Sequence, residues 1–175
     1  MTQQDIQDLE KKAQEGEPSA QFDFGRLLVI NNYYEPGKDF ITKAAEQRNE
    51  GALKWIEVHQ KLTKTLESVD VSESEERKML HLWNVKDGER TESFSFTSLT
   101  AGSVIVSVNK SEGNNNFKLF HTEVISEQYF HILFDLWNAY LKGVIKTKDI
   151  KPTKNAKYLI SILHYIIGNN SELAL

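Results

Sequence analysis

In the first third of the chain, apolar residues recur at three- and four-residue steps. Ile6, Leu9 and Ala13 keep this spacing until Gly16, Glu17 and Pro18 interrupt it, which predicts a first helix. A second helix, capped by Ser19, carries Phe22, Phe24, Leu27, Leu28 and Ile30. Asn31, Asn32 and then Glu35-Pro36-Gly37 predict a strong break after it. Phe40, Ile41, Ala44 and Ala45 mark a third helix, and a fourth runs from Asn49, its cap, through Ala52, Leu53, Trp55, Ile56 and His59 to Leu62. The two resulting hairpins echo one another at a spacing of 32 residues: Leu9, Ala13, Ala20 and Phe24 recur as Ile41, Ala45, Ala52 and Ile56. Small residues repeating among larger apolar ones let backbones approach, so the pattern predicts like helix pairs stacked together.

From Thr65 to Glu76 the chain turns polar and acidic, a composition that can bury little. Beyond it the period changes to two. Met79, His81 and Trp83 share one face of a predicted strand, Lys86-Asp87-Gly88-Glu89 reads as a hairpin turn, and Phe94 and Phe96 alternate with Ser93, Ser95 and Thr97. Ala101-Gly102 forms a second turn before the β-branched run Val104, Ile105, Val106 and Val108. A polar loop from Lys110 to Asn116 leads to a further strand with Phe117, Leu119, Val124 and Ile125. Ser126 with Glu127 opens a helix bearing Phe130, Leu133, Phe134, Trp137, Tyr140 and Leu141, which Gly143 ends. After Pro152, Thr153 or Asn155 starts a last helix with Tyr158, Leu159, Ile162, Leu163 and Ile166, stopped by Gly168. The predicted class is α+β: all-α hairpins over 1–66, an acidic linker over 67–78, and a small antiparallel sheet covered by two helices over 79–175.

Charge sharpens this division. Residues 1–78 hold 11 Lys+Arg against 16 Asp+Glu, whereas residues 79–175 hold 10 against 9. The chain has no cysteine, which excludes disulfides, a thiolate nucleophile and a cysteine-ligated metal. Met1 to Lys12 lacks the apolar stretch of a secretory signal, and no segment approaches the ~18 uninterrupted apolar residues of a membrane span. A cytoplasmic protein with no membrane partner is the expectation.

A family resemblance attaches to the helical part. Ala13-Gln14-Glu15-Gly16, then Ala20-Gln21 with Gly25, then Lys43-Ala44-Ala45-Glu46-Gln47 with Asn49 and Ala52, resembles the Sel1-like repeat, a relative of the tetratricopeptide repeat. The likeness covers roughly residues 9–60, and Arg48 stands where the family has glycine. It implies a scaffold that grips a protein partner.

Motifs for bond chemistry are missing. No serine occupies a G-x-S-x-G elbow, and none of His59, His81, His121, His131 and His164 pairs at metal-ligand spacing. Gly102 and Gly113 stand alone, without a phosphate-cradling loop. No enzyme, cofactor or metal is therefore expected. One constellation stands out: Lys142, Lys146, Lys148, Lys151, Lys154 and Lys157 fall within sixteen residues, opposed only by Asp149. With Asn155 beside the start of the last helix, and Tyr158 in reach, they form an elbow suited to a phosphate backbone. The alternative is a solvated, lysine-rich loop. Ile125-Ser126-Glu127, Leu136-Trp137 with Tyr140 and Gly143, and Lys154-Asn155-Ala156-Lys157-Tyr158-Leu159 also resemble small accessory modules of bacterial restriction-type nucleases, across residues 94–167. That likeness implies nucleic-acid contact without cleavage. The leading expectation is a non-catalytic adaptor engaging a protein partner; the alternative is a nucleic-acid-binding module using the 142–157 elbow.

Overall fold

The computed structural model describes residues 1–69, 80–111 and 117–173. The chain divides into two compact units, Met1–Gln60 and Lys61–Leu175. The division falls ahead of the expected 66/67 boundary, and most of the acidic 67–78 segment, with Met79, lies outside the described residues.

The first unit contains α1 (Gln3–Gln14), α2 (Pro18–Ile30), α3 (Tyr34–Glu46) and the start of α4 (Glu50–Ser68). Thr2 and Asp5 cap α1 reciprocally, the Thr2 hydroxyl taking the Asp5 N–H at 3.2 Å while the Asp5 carboxylate takes the Thr2 N–H at 2.6 Å. Ser19 does not cap α2. Glu17 holds the cap position and Pro18 the first helical one, where a missing N–H costs nothing. Glu35-Pro36-Gly37 likewise does not break the chain but builds the first turn of α3, a position that tolerates proline for the same reason. Asn49 is a true cap, its Oδ1 accepting the Ala52 N–H at 2.9 Å, and α4 continues past Leu62 to Ser68.

Gly25 and Gly37 set the α2–α3 contact. A Cβ on Gly25 would stand 2.7 Å from the Gly37 carbonyl oxygen, and one on Gly37 would stand 2.6 Å from that of Gly25. Buried Gln21 ties the helices further: it donates to the Ala13 carbonyl at 3.3 Å and accepts from Gln47 at 2.8 Å. Ala13, Ala20, Ala44 and Ala52 are all buried. The turns ending α1, α2 and α3 share one construction, in which a left-handed residue donates three positions back and its successor five positions back. Gly16, Asn32 and Arg48 fill that position, with φ of 93°, 69° and 63°.

The second unit pairs the end of α4 with a four-stranded antiparallel meander, β1 (Leu80–Asn84), β2 (Gly88–Phe96), β3 (Ser103–Ser111) and β4 (Phe117–Ser126), in spatial order β1-β2-β3-β4. Gly88 closes the first hairpin at positive φ, and Ala101 with Gly102, both at positive φ, make the second turn. Phe94, Phe96, Val104, Val106 and Ile125 point to one buried face, while the cross-strand pair Ile105 and Val124 is 42% and 60% exposed on the other. Leu82 is the buried residue of β1: it shares a face with Leu80, which pairs with buried Phe94, while His81 and Trp83 alternate with them, and the register shift between His81 and Trp83 places its extra residues in β2.

Two helices cover the inner face, α5 (Glu127–Leu141) and α6 (Ala156–Asn169), giving the α+β class expected. Gly143 ends α5 at positive φ, but Gly168 does not stop α6, which continues to Asn169. Ser126 supplies no side-chain cap to α5, whose first N–H instead bonds the Gly102 carbonyl at 2.9 Å. Between the helices, two short 3₁₀ turns (Thr147–Asp149 and Thr153–Asn155) form the elbow. Among the described residues no helix is long and apolar enough to cross a membrane.

Candidate binding surfaces

The first unit offers a groove of about 550 Å³ between α1 and α2. Half-buried Leu9, Leu27 and Ile30 line it, exposed Asp5, Asp8 and Asp23 stand around them, and Lys12 and Arg26 are its cations. The Thr2 N–H and hydroxyl, bonded to Asp5, hold that carboxyl below the usual carboxylate range. Phe24, packed edge-on against Phe40 at 5.2 Å, and Ala13 and Ala20 form the core behind the groove. Across Met1–Gln60 there are 7 Lys+Arg against 11 Asp+Glu, so the unit that bears this apolar groove is anionic.

In the second unit the histidines are dispersed. His81 lies on β1 and His121 on β4, the opposite edges of the sheet. Buried His131 sits 3.2 Å from the Glu127 carboxylate and 3.3 Å from the Thr63 hydroxyl, which itself donates to Glu127 at 2.6 Å. This cluster fastens the end of α4 to the first turn of α5. His164 stacks on the Trp83 indole at 3.8 Å, at the rim of a cleft of about 380 Å³ that also holds His81 and Glu89. Partial burial lowers the His164 pKa, and the Glu89 charge offsets part of that shift. The cleft's hydroxyl at Ser161 is committed, taking the Trp83 N–H and donating to the Lys157 carbonyl, each at 2.8 Å. Among the described residues, no three His, Cys, Asp or Glu side chains converge as a metal site.

Lys142, Lys146, Lys148, Lys151, Lys154 and Lys157 are all exposed. Lys154 is paired with Glu123 of β4 at 2.9 Å, whereas the other five have no carboxylate within ion-pair distance among the described residues. Asn155 is buried, 6% exposed, and its amide donates to the Val124 carbonyl at 3.4 Å, pinning the elbow to the edge of the sheet. Tyr158 is also buried, edge-on to Phe94 at 5.2 Å. The sequence read both as available because the position before a helix is usually solvated; here the sheet edge covers it.

Beside the elbow lies a smaller cleft of about 180 Å³, lined by Asn84, Arg90, Thr147 and Lys157 over a floor of Leu82, Trp83 and Ile160. Asp87 takes one arm of the Arg90 guanidinium at 2.7 Å, which lowers the Asp87 pKa and raises that of Arg90. The Asn84 Oδ1 accepts the Lys86 and Asp87 N–H groups at 3.0 and 2.8 Å, fixing the loop that carries Asp87. Arg90, Asn84 and Thr147 escaped the sequence reading because they come from three separate segments with no shared motif. Comparison with family models, with curated proteins and with solved structures finds no match to this chain.

Proposed function

We propose that the protein is a non-catalytic adaptor whose N-terminal helical unit engages a protein partner, the α1–α2 groove receiving a basic amphipathic segment. The observation that carries this reading is the pairing of half-buried Leu9, Leu27 and Ile30 with the carboxylates of Asp5, Asp8 and Asp23 in one groove. An apolar stripe would fill the floor, and lysines or arginines on its flanks would meet the anionic rim. The likeness of residues 9–60 to Sel1-like repeats supports the same use, since helix-pair arrays act as platforms for other chains.

Fluorescence anisotropy with a labelled lysine-leucine amphipathic helix and its glutamate-leucine counterpart tests the reading. The basic peptide should bind and the acidic one should not. Asp8→Lys with Asp23→Lys should weaken binding by roughly tenfold, because two reversed rim charges together cost about 1.4 kcal/mol. Equal binding of the two peptides, or a double variant with unchanged affinity, refutes the assignment.

A further inference from the structure

We infer that the cleft between the β1–β2 hairpin and α6 is a phosphoryl-binding site, in which Arg90, Lys157 and the Thr147 hydroxyl grip a tetrahedral oxyanion. The donors present match that ligand. Arg90 carries five N–H donors, and with one arm bonded to Asp87 the rest of the fork remains for a second acceptor. Lys157 brings a full charge with no carboxylate within ion-pair distance among the described residues; its ammonium lies 4.8 Å from the Tyr158 ring centroid. Thr147 can donate its hydroxyl. Asp87 balances Arg90, so Lys157 leaves this group of charges with a surplus of one positive charge.

The opening of about 180 Å³ suits a phosphoryl group rather than a nucleobase or a whole nucleotide. Its apolar floor matters as much as its donors. Leu82 and Ile160 are buried, which lowers the local dielectric and strengthens charge-assisted hydrogen bonds to an anion. Lys142, Lys146, Lys148 and Lys151, exposed along the same elbow, add a diffuse positive field that would favour a polyanion. The phosphoryl group can come from a nucleic-acid backbone or from a free phosphorylated molecule, and the chemistry of the cleft is the same for both.

The test is a titration of the ¹⁵N-labelled full chain with inorganic phosphate, alongside anisotropy with a labelled DNA duplex. Phosphate should shift the Arg90 side-chain N–H and the backbone amides of Thr147 and Lys157. Arg90→Gln and Lys157→Gln should each weaken phosphate binding by roughly tenfold, as expected for loss of one charge-assisted contact. Thr147→Val, which leaves the Arg90–Asp87 pair in place, should weaken it less than either and keeps the test decisive where Arg90→Gln destabilises the hairpin. Competition between phosphate and the duplex, with both sensitive to Arg90→Gln, identifies the backbone as the source. Phosphate binding without duplex binding identifies a free phosphorylated ligand. No phosphate-induced shift at Arg90, Thr147 and Lys157, or phosphate binding indifferent to Arg90→Gln, Lys157→Gln and Thr147→Val, overturns the inference.

Discussion

Gly25→Ala isolates the α2–α3 contact. In an ordinary helix interior this change stabilises by about 0.5–1 kcal/mol, because alanine loses less backbone freedom on folding. Gly25 is buried, and the new methyl would stand 2.7 Å from the Gly37 carbonyl oxygen, 2.7 Å from Ile41 Cγ1 and 3.1 Å from the Ile41 backbone nitrogen. Two of those three atoms are backbone, so rotamer changes cannot relieve the overlap and the helices must part. Overpacking of this kind costs about 1–3 kcal/mol, and backbone contact places it near the upper end. Setting the propensity gain against it leaves a net loss of about 1–2 kcal/mol, or about 2–8 °C in the midpoint for a chain of this size.

Gly168→Ala is the matched control. It lies in α6 with nothing within 4 Å of its added methyl, so the same substitution should raise stability by about 0.5–1 kcal/mol. The assay is thermal and urea unfolding followed by far-ultraviolet circular dichroism. The double variant Gly25→Ala/Gly37→Ala should lose less than the sum of its singles, because the displacement that accommodates one methyl partly accommodates the other. A Gly25→Ala protein as stable as the parent would falsify the claim that these glycines set the helix separation.

Two further outcomes follow from local geometry. Arg48→Gly should stabilise by about 1 kcal/mol, since Arg48 holds a φ of 63° that costs an L-residue about that much and glycine almost nothing; a loss of stability in urea titration would show that its side chain contributes more than its backbone costs. His164 has a lowered pKa, so below its reference value of 6.5 the unfolded chain binds more protons than the folded one. Stability should therefore fall as pH drops through 6.5 toward the folded pKa, and His164→Phe, which retains a ring against Trp83, should flatten that dependence. An NMR titration giving His164 a midpoint above 6.5 would reverse the sign and defeat the argument.

The helical unit was legible because its signals are local. Caps, glycine stops and a three-to-four residue period reside within single segments, and Asn49, Gly16 and Ala13 act as their neighbourhoods indicate. Errors arose where one residue type suits two roles. Pro36 and Gly37 look like a break, yet proline is equally at home in a first helical turn, and Gly37 serves a contact with Gly25 that no local window contains. In β1 the two-residue period groups His81 with Trp83 but does not say which face meets the core; the partner strand decides that, since Leu80 pairs with buried Phe94 and Leu82 shares its face.

The same distinction separates the two cationic features of the second unit. The lysines of the elbow are visible as a run because they are neighbours in the chain, but a run says nothing about what each ammonium meets; Glu123 takes Lys154, and the sheet edge takes Asn155. The Arg90–Lys157 cleft has the opposite character. Its donors are scattered along the sequence and come together only because α6 lies along β1, where Ser161 bonds the Trp83 backbone and His164 stacks on the Trp83 ring. An exposed lysine run attracts any polyanion weakly and with strong salt dependence, whereas donors fixed around an apolar floor discriminate by geometry. Salt therefore separates their contributions: raising ionic strength should erode the part of duplex affinity carried by the elbow lysines and spare more of the part carried by Arg90 and Lys157 at the cleft. A duplex affinity that Arg90→Gln leaves unchanged at high salt would mean that the cleft adds nothing to the elbow.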